Sequence, residues 1–251
     1  MRTTPILITI PISHYCEKAR WALERAGIPY TERQHMQGLH RIAVRRAGGG
    51  QTAPVLVTAD GALPESRDIL VYADERAPAD RRIYPDDPAQ RAEIRALEDD
   101  FDARLGPEGR RWMYNQMRGQ NKLIIHFTPK TVPAWQRAAL PVGLSAMSHF
   151  IDKVLDITPE KAERSAEAVR KTFDDVGERL ADGREYLVGD RFTAADLTFA
   201  ALAAAVTVPP EYGVPLPQPD DLPEPMATSV RELRAHPAGQ HALRMFREHR
   251  R

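Results

Sequence analysis

An α/β domain followed by an all-helical domain is the fold class this sequence predicts, and three observations predict it. Strand and helix patterns alternate over residues 1–77, in the order βαβαββα. A charged, proline-rich stretch over 78–88 then resists regular structure and suits an inter-domain connection. From 89 to 251 no strand pattern interrupts a helical one.

The first strand is the continuous β-branched run from Ile6 to Ile10, the pattern of a strand covered on both faces. A helix over Tyr15 to Ala26 gathers Tyr15, Ala19, Ala22, Leu23 and Ala26 on one face and stops at Gly27, with Pro29 beyond. Tyr30 to Gln34 reads as a second strand, and a looser helical stretch leads to the glycines at 48–50. Pro54 to Thr58, the turn at Ala59, Asp60 and Gly61, and Ala62 with Leu63 read as an antiparallel hairpin. Ser66 is placed to cap a last helix carrying Ile69, Leu70, Tyr72 and Ala73.

In the second domain the helical segments are Ala89 to about Met117, Pro159 to Ala181, Thr193 to Val206, and two shorter ones separated by Pro237. Pro129, Pro133 and Pro141 are expected to break any long helix between Gly119 and Ile157. Thr207 to Pro225 holds seven prolines and reads as an extended surface loop. Leu197 to Val208 is the longest apolar run; at well under the roughly 20 residues of a membrane span it reads as a buried core helix.

With 35 basic and 35 acidic residues the formal net charge is zero, which argues against a general nucleic-acid binder or a polybasic membrane protein and favours a small-molecule substrate. One cysteine rules out an internal disulfide and a cysteine-rich zinc site, and no metal is expected. The N-terminus lacks the pattern of a secretory signal, so the expected location is cytoplasmic.

The chemistry points to the turn between the first strand and the first helix. The run from Ser13 to Arg20 puts a hydroxyl, and one turn later the thiol of Cys16, at a helix N-terminus. Unpaired amides and the positive end of the helix dipole favour an anion there, so a thiolate is stabilised. Serine is also a common N-cap and cysteine a common small core residue, and the spacing alone leaves those readings open.

This strand, the Ser-x-x-Cys turn from Ser13 to Cys16, Ala53 and Pro54 before a strand, and Glu65 with Ser66 at a helix start together resemble the N-terminal thioredoxin-like domain of cytosolic glutathione S-transferases of the bacterial serine or cysteine type. The helical remainder, beyond the Tyr-Pro-x-Asp-Pro linker at 84–88, fits the same family, so the resemblance spans essentially the whole chain. A further match runs from Gly189 to Leu197 and looks like the capping box and staple of the family's central C-terminal helix: Thr193 caps the amide of Asp196, Asp196 bonds back, and Phe192 packs on Leu197.

The resemblance implies glutathione as cosubstrate and a small electrophile as second substrate. It implies a cis peptide at Ala53 and Pro54 that turns the Ala53 backbone toward the cysteinyl part of the tripeptide. Glu65 would take the γ-glutamyl ammonium, and Ser66, with the helix amide, its carboxylate. Ser13 falls at the catalytic position. Lowering a thiol pKa of about 8.5 by about two units needs roughly 2.7 kcal/mol. One charge-assisted hydrogen bond supplies about 1.5 to 3 kcal/mol and the helix terminus about 0.3 to 1 more, so a single serine donor nearly suffices and no histidine base is required.

Two positions depart from the common pattern. His14 stands where many relatives have proline, and is open to contact with the sulfur, with the second substrate or with solvent. Cys16 occupies the resolving position of a thioredoxin-type motif; buried it is inert, exposed it would exchange disulfides with glutathione. For the glycyl carboxylate the candidates are Gln51, Thr52, His40, Arg41 and Arg45. For the electrophile pocket they are His14 and, from the first C-terminal helix, Trp112, Met113, Tyr114 and Met117. A homodimer is expected by the same resemblance. The alternatives to a Ser13-based transferase are a Cys16-dependent thiol transferase or reductase, and a noncatalytic ligand-binding or assembly module on this fold.

Overall fold

A computed structural model of the chain describes residues 4–250, so the first three positions of the expected N-terminal domain lie outside it. In chain order the elements are β1 (Ile6–Thr9), α1 (His14–Arg25), β2 (Thr31–Gln34), α2 (His40–Arg46), β3 (Val55–Thr58), β4 (Gly61–Leu63), α3 (Ser66–Arg76), α4 (Pro88–Ala103), α5 (Leu105–Gln116), α6 (Asn121–His126), α7 (Ala134–Val154), α8 (Pro159–Leu180), α9 (Ala194–Thr207), α10 (Glu224–Ala235) and α11 (Pro237–His249). The chain separates into two units: one takes residues up to Arg81 with Gly119–Asp156 and Gly213–Pro215, the other Arg82–Arg118, Ile157–Tyr212 and Leu216 onward.

The first unit is the thioredoxin-like α/β domain. Its sheet has the order β2-β1-β3-β4, with β1 parallel to β2 and antiparallel to β3. Leu7, Ile8, Val55 and Leu56 are buried, as a sheet covered on both faces requires. At the end of α1 the chain reverses at Gly27 (φ +69°), a left-handed conformation that glycine adopts without a Cβ penalty.

Segment 119–156 belongs by its packing to this first unit, whereas its place in the sequence suggested the helical domain. Met36 and Leu39 of the β2–α2 connection close a small core with Ile124, Val132, Leu140, Leu144 and Met147. Pro129 and Pro133 break the helix as expected, lying in the connection between α6 and α7, whereas Pro141 does not. Pro133 stands just outside the N-terminus of α7, where its missing N–H costs nothing, and Pro141 sits inside a helix of 21 residues. Pro141 offers no donor to the Arg137 carbonyl; burial of Leu140, Leu144 and Ile151 on one face holds the helix through that gap.

The second unit is all helical. α9 packs against α4, α5, α10 and α11, and all of its residues are buried. Its capping box is as the sequence predicts: Thr193 donates to Asp196 Oδ2 from its amide (2.9 Å) and its hydroxyl (2.8 Å). Asp196 Oδ1 also accepts the Leu187 amide (2.8 Å) and lies 3.1 Å from His241 Nε2. The single helix expected from Ala89 to Met117 is two, divided at Arg104, because Pro107 in the first turn of α5 cannot extend the ladder of α4. Arg118 Nη2 donates to the Ile157 carbonyl at 2.8 Å, bringing together the two positions that flank segment 119–156.

The proline-rich stretch from Thr207 is extended but is not a surface loop throughout. Val208, Tyr212, Val214 and Leu222 are buried, and Arg234 binds the carbonyls of Thr207 (2.7 Å) and Val208 (2.6 Å). No helix among the described residues is long and apolar enough to cross a membrane.

Candidate functional site

Strand register brings the candidate residues of the first unit to one end of the sheet. β1 runs into the turn that carries Ser13. β3 begins where β1 ends, since Ile8 pairs with Val55, so Ala53 and Pro54 lie just beyond that pair; the peptide between them is cis. β4 returns antiparallel, Leu63 pairing with Leu56, and delivers Glu65 and Ser66 to the same end. Three separate stretches of sequence, around positions 13, 53 and 65, thus converge through backbone pairing alone.

Ser13 is half-buried and is the N-cap of α1, its Oγ accepting the Cys16 amide at 3.4 Å. An accepting hydroxyl keeps its own proton to donate. The turn itself is pinned at Ile10. The Ile10 carbonyl accepts from Ser13 N (3.1 Å) and from Arg20 Nη2 (3.5 Å), and the Ile10 amide donates to Cys16 Sγ (3.4 Å).

Cys16 is fully buried, and burial pushes its thiol pKa up despite opposition from Arg20 and Ser13. A thiol without solvent access and held in its protonated form is no partner for disulfide exchange, so its reading as a redox nucleophile is corrected to a core residue. His14 is likewise buried rather than solvated, its ring 4.6 Å from that of Tyr15.

At the opposite side of the convergence, Glu65 is the N-cap of α3 and Ser66 its first residue, so the expected cap moves back by one position. Glu65 is exposed and its side chain makes no capping bond, which leaves the first amides of α3 with their positive field and a carboxylate beside them. Ser66 is buried.

Gln51 and Thr52 are exposed in the loop before the cis peptide. Gly49 lets that loop lie on β3, since a Cβ there would fall 2.5 Å from the Val55 side chain. His40 is not available as a cation. It is buried, its Nδ1 accepts the Gly38 amide at 3.1 Å, and desolvation lowers its pKa to about 4 against a hydrogen bond to the Gln51 backbone that raises it. Arg41 is engaged over the Phe150 ring (5.3 Å), and Arg45 is exposed.

In the second unit, Trp112 is buried and lines a crevice with Val169, Val206 and Leu233, so its indole serves the helical core. Met113, Tyr114 and Met117 are half-buried. Among the described residues no group of histidine, cysteine, aspartate or glutamate side chains could hold a metal ion.

Sequence reasoning missed the ionic cluster behind Ser13. Arg20 pairs with Glu17 (3.1 Å) and Glu32 (2.7 Å), Thr9 donates to Glu32 (2.6 Å), and the Gly213 amide donates to Glu17 (3.1 Å). The i,i+3 spacing of Glu17 and Arg20 was the available signal, hidden because a helix with one apolar face is expected to turn its charges to water.

Residues 7–81 match the family described as "Glutathione S-transferase, N-terminal domain", and residues 159–227 match "Glutathione S-transferase, C-terminal domain". The fold is similar to that of a glutathione S-transferase from Sinorhizobium meliloti 1021, with TM-score 0.60 and 22% identity over 96% of this chain and 93% of that one. It is similar also to the theta class glutathione S-transferase of Xanthomonas axonopodis pv. citri, solved with glutathione bound, with TM-score 0.60 and 20% identity over 97% and 98% of the two chains. A comparison with curated proteins returned no match.

Proposed function

This chain belongs to the glutathione S-transferase family, with glutathione as cosubstrate, and we propose that it activates the glutathione thiol through Ser13 for attack on a small electrophile. The convergence of Ser13, the cis Ala53–Pro54 peptide and the Glu65–Ser66 pair at one sheet end carries the proposal. A tripeptide with a zwitterionic head, a thiol and an extended backbone requires those three kinds of contact. The Glu65 carboxylate, free of capping duty, meets the γ-glutamyl ammonium; the Ser66 hydroxyl and the α3 amides meet the carboxylate beside it. The Ala53 backbone pairs with the cysteinyl unit, and Gln51 and Thr52 stand nearest in sequence for the glycyl end.

Ser13 then acts as donor. Its lone pair is occupied by the Cys16 amide, which orients the hydroxyl and leaves the proton for the sulfur. The thiolate is the nucleophile, and its bond to the electrophilic carbon forms as the leaving group departs or a conjugated bond accepts the electron pair. A homodimer acting in the cytoplasm completes the reading, supported by family membership.

Calorimetric titration of glutathione into wild-type protein and Ser66→Ala tests the clamp. Binding that the substitution weakens by about 10- to 100-fold is expected, the loss of one charge-assisted bond. Absence of binding to wild-type protein overturns the proposal in favour of another thiol or a noncatalytic module.

A further inference from the structure

Charge is buried behind Ser13 in the first unit, and stability alone does not call for it. The Arg20 side chain is 1% exposed and that of Glu17 is wholly buried. A buried ion pair does little more for a fold than well-packed apolar side chains of the same volume, because desolvation cancels most of the attraction. Apolar side chains, however, cannot grip a carbonyl. Arg20 does so: its Nη2 donates to the Ile10 carbonyl at 3.5 Å, and that same oxygen accepts the Ser13 amide at 3.1 Å.

The guanidinium is aimed by its other two nitrogens. Nε donates to Glu32 on β2 at 2.7 Å and Nη1 to Glu17 on α1 at 3.1 Å. The group is planar with its donors in a fixed fork, so holding two of them sets the direction of the third. Each carboxylate is itself tied. Glu32 accepts the hydroxyl of Thr9 on β1 (2.6 Å), and Glu17 accepts the amide of Gly213 (3.1 Å), from the short stretch that packs with this unit. Ser13, Cys16 and Arg20 follow at spacings of three and four, which is one face of α1. Helical side chains lean toward the N-terminus, so Arg20 reaches back along that face to the turn.

We propose that Arg20 is a positioning residue for the Ser13 hydroxyl, with Glu17 and Glu32 as the groups that aim it. The inference rests on the reading of Ser13 as donor to the glutathione sulfur. Ile10 is held through its carbonyl by Ser13 and Arg20 and through its amide by Cys16 Sγ, which fixes the turn from 10 to 13, while the Cys16 amide orients the Ser13 oxygen. Hydrogen-bond strength falls steeply with angle and distance, and a donor already in place needs no reorganisation when the thiolate forms. Arg20 acts through the backbone of the turn rather than on the sulfur.

Arg20→Lys tests it, since the ammonium keeps the charge between the carboxylates but lacks the fork that reaches the Ile10 carbonyl. The pKa of bound glutathione, followed by thiolate absorbance against pH, is expected to rise by about half a unit to one unit, part of what one charge-assisted bond supplies. Affinity for S-methylglutathione, which has no thiol proton to lose, is expected to stay unchanged. Glu17→Gln offers one carbonyl oxygen where the carboxylate used two, so it is expected to shift the thiol pKa the same way, and it carries the test if Arg20→Lys does not fold. An unchanged thiol pKa in a folded variant overturns the proposal. A parallel loss of affinity for both ligands, or failure of both variants to fold, overturns it in favour of a purely structural cluster. Wild-type protein that leaves the pKa of bound glutathione at its free value overturns the Ser13 reading as well. A wild-type pKa that is lowered, and raised by Ser13→Ala but not by Arg20→Lys, overturns this inference alone.

Discussion

Gln136 accepts the Met36 amide at 2.8 Å through Oε1 and places Nε2 3.0 Å from His35 Nδ1, both from a side chain that is buried. One residue of α7 thus satisfies the backbone and a side chain of the β2–α2 connection a hundred positions earlier in the chain. Gln136→Leu keeps the bulk and removes both bonds. The expected cost is about 1 to 3 kcal/mol, the penalty for a buried amide left without acceptor. Hydrogen exchange should show α6 and α7 opening faster while α1, β1 and β3 keep their protection; uniform loss across both units would contradict it.

Substitutions at positions 13 and 16 should part company. Ser13→Ala removes both the cap and the donor, so conjugation is expected to fall by about 10² to 10³ in kcat/KM. The pKa of bound glutathione, read from thiolate absorbance, is expected to rise toward its free value. The same change costs about 1 kcal/mol of stability through the lost cap. Cys16→Ala leaves the Ile10 amide without its sulfur partner and costs stability, but conjugation should survive within a few-fold. Loss of activity in Cys16→Ala at retained fold and glutathione affinity would return the thiol to the mechanism.

His40 gives the fold an acid-sensitive contact. Its pKa is lowered to about 4 from the ordinary 6.5, so the unfolded chain binds a proton that the native chain refuses. Stability from this group is therefore complete above about pH 6.5 and falls as pH drops toward about 4, by up to about 3 kcal/mol over that window. His35, also lowered by burial and by Arg33, adds in the same direction. His40→Asn keeps an acceptor for the Gly38 amide and should flatten the urea midpoint between pH 6.5 and 4; an unchanged slope would count against the assignment.

Asp196 holds four donors' worth of structure at the head of α9. Asp196→Asn turns an NH2 toward groups that are themselves donors, either Thr193 or the Leu187 amide. A loss of about 2 to 4 kcal/mol is expected. At roughly 2 to 4 °C per kcal/mol for a chain of this size, the thermal midpoint should fall by about 4 to 16 °C.

Local signals made most of the fold legible. The strand from Ile6, the stop at Gly27 and the Thr193 capping box each rest on neighbouring residues, and each stands in the structure; the cis peptide before β3, which also stands, was implied by the family resemblance. What escaped was long-range. The packing of 119–156 beside β2 depends on Met36 and Leu39 meeting Val132 and Leu140, contacts that no periodicity within either segment announces. Pro141 argued for a break because its local cost is plain, while the burial that outweighs it is tertiary. Burial of Cys16, His14, Glu17 and Arg20 has the same origin: α1 is enclosed on more sides than a one-faced amphipathic pattern implies. The turn at Ser13 was easier to read than the loop at Gln51 and Thr52, because a helix terminus has a sequence signature and a protonation state such as that of His40 has none.

The hydrogen bond from Arg118 to the Ile157 carbonyl gives segment 119–156 the character of a graft. Its two roots emerge side by side, so the helical scaffold that bears it closes whether the segment is long, short or absent. A short glycine–serine bridge can span such a gap at small entropic cost, because closure entropy grows only slowly with length. Removal of α6 and α7 therefore spares the helices around α9 and places its cost on the other unit, where Met36 and Leu39 lose their cover and the Met36 amide its acceptor.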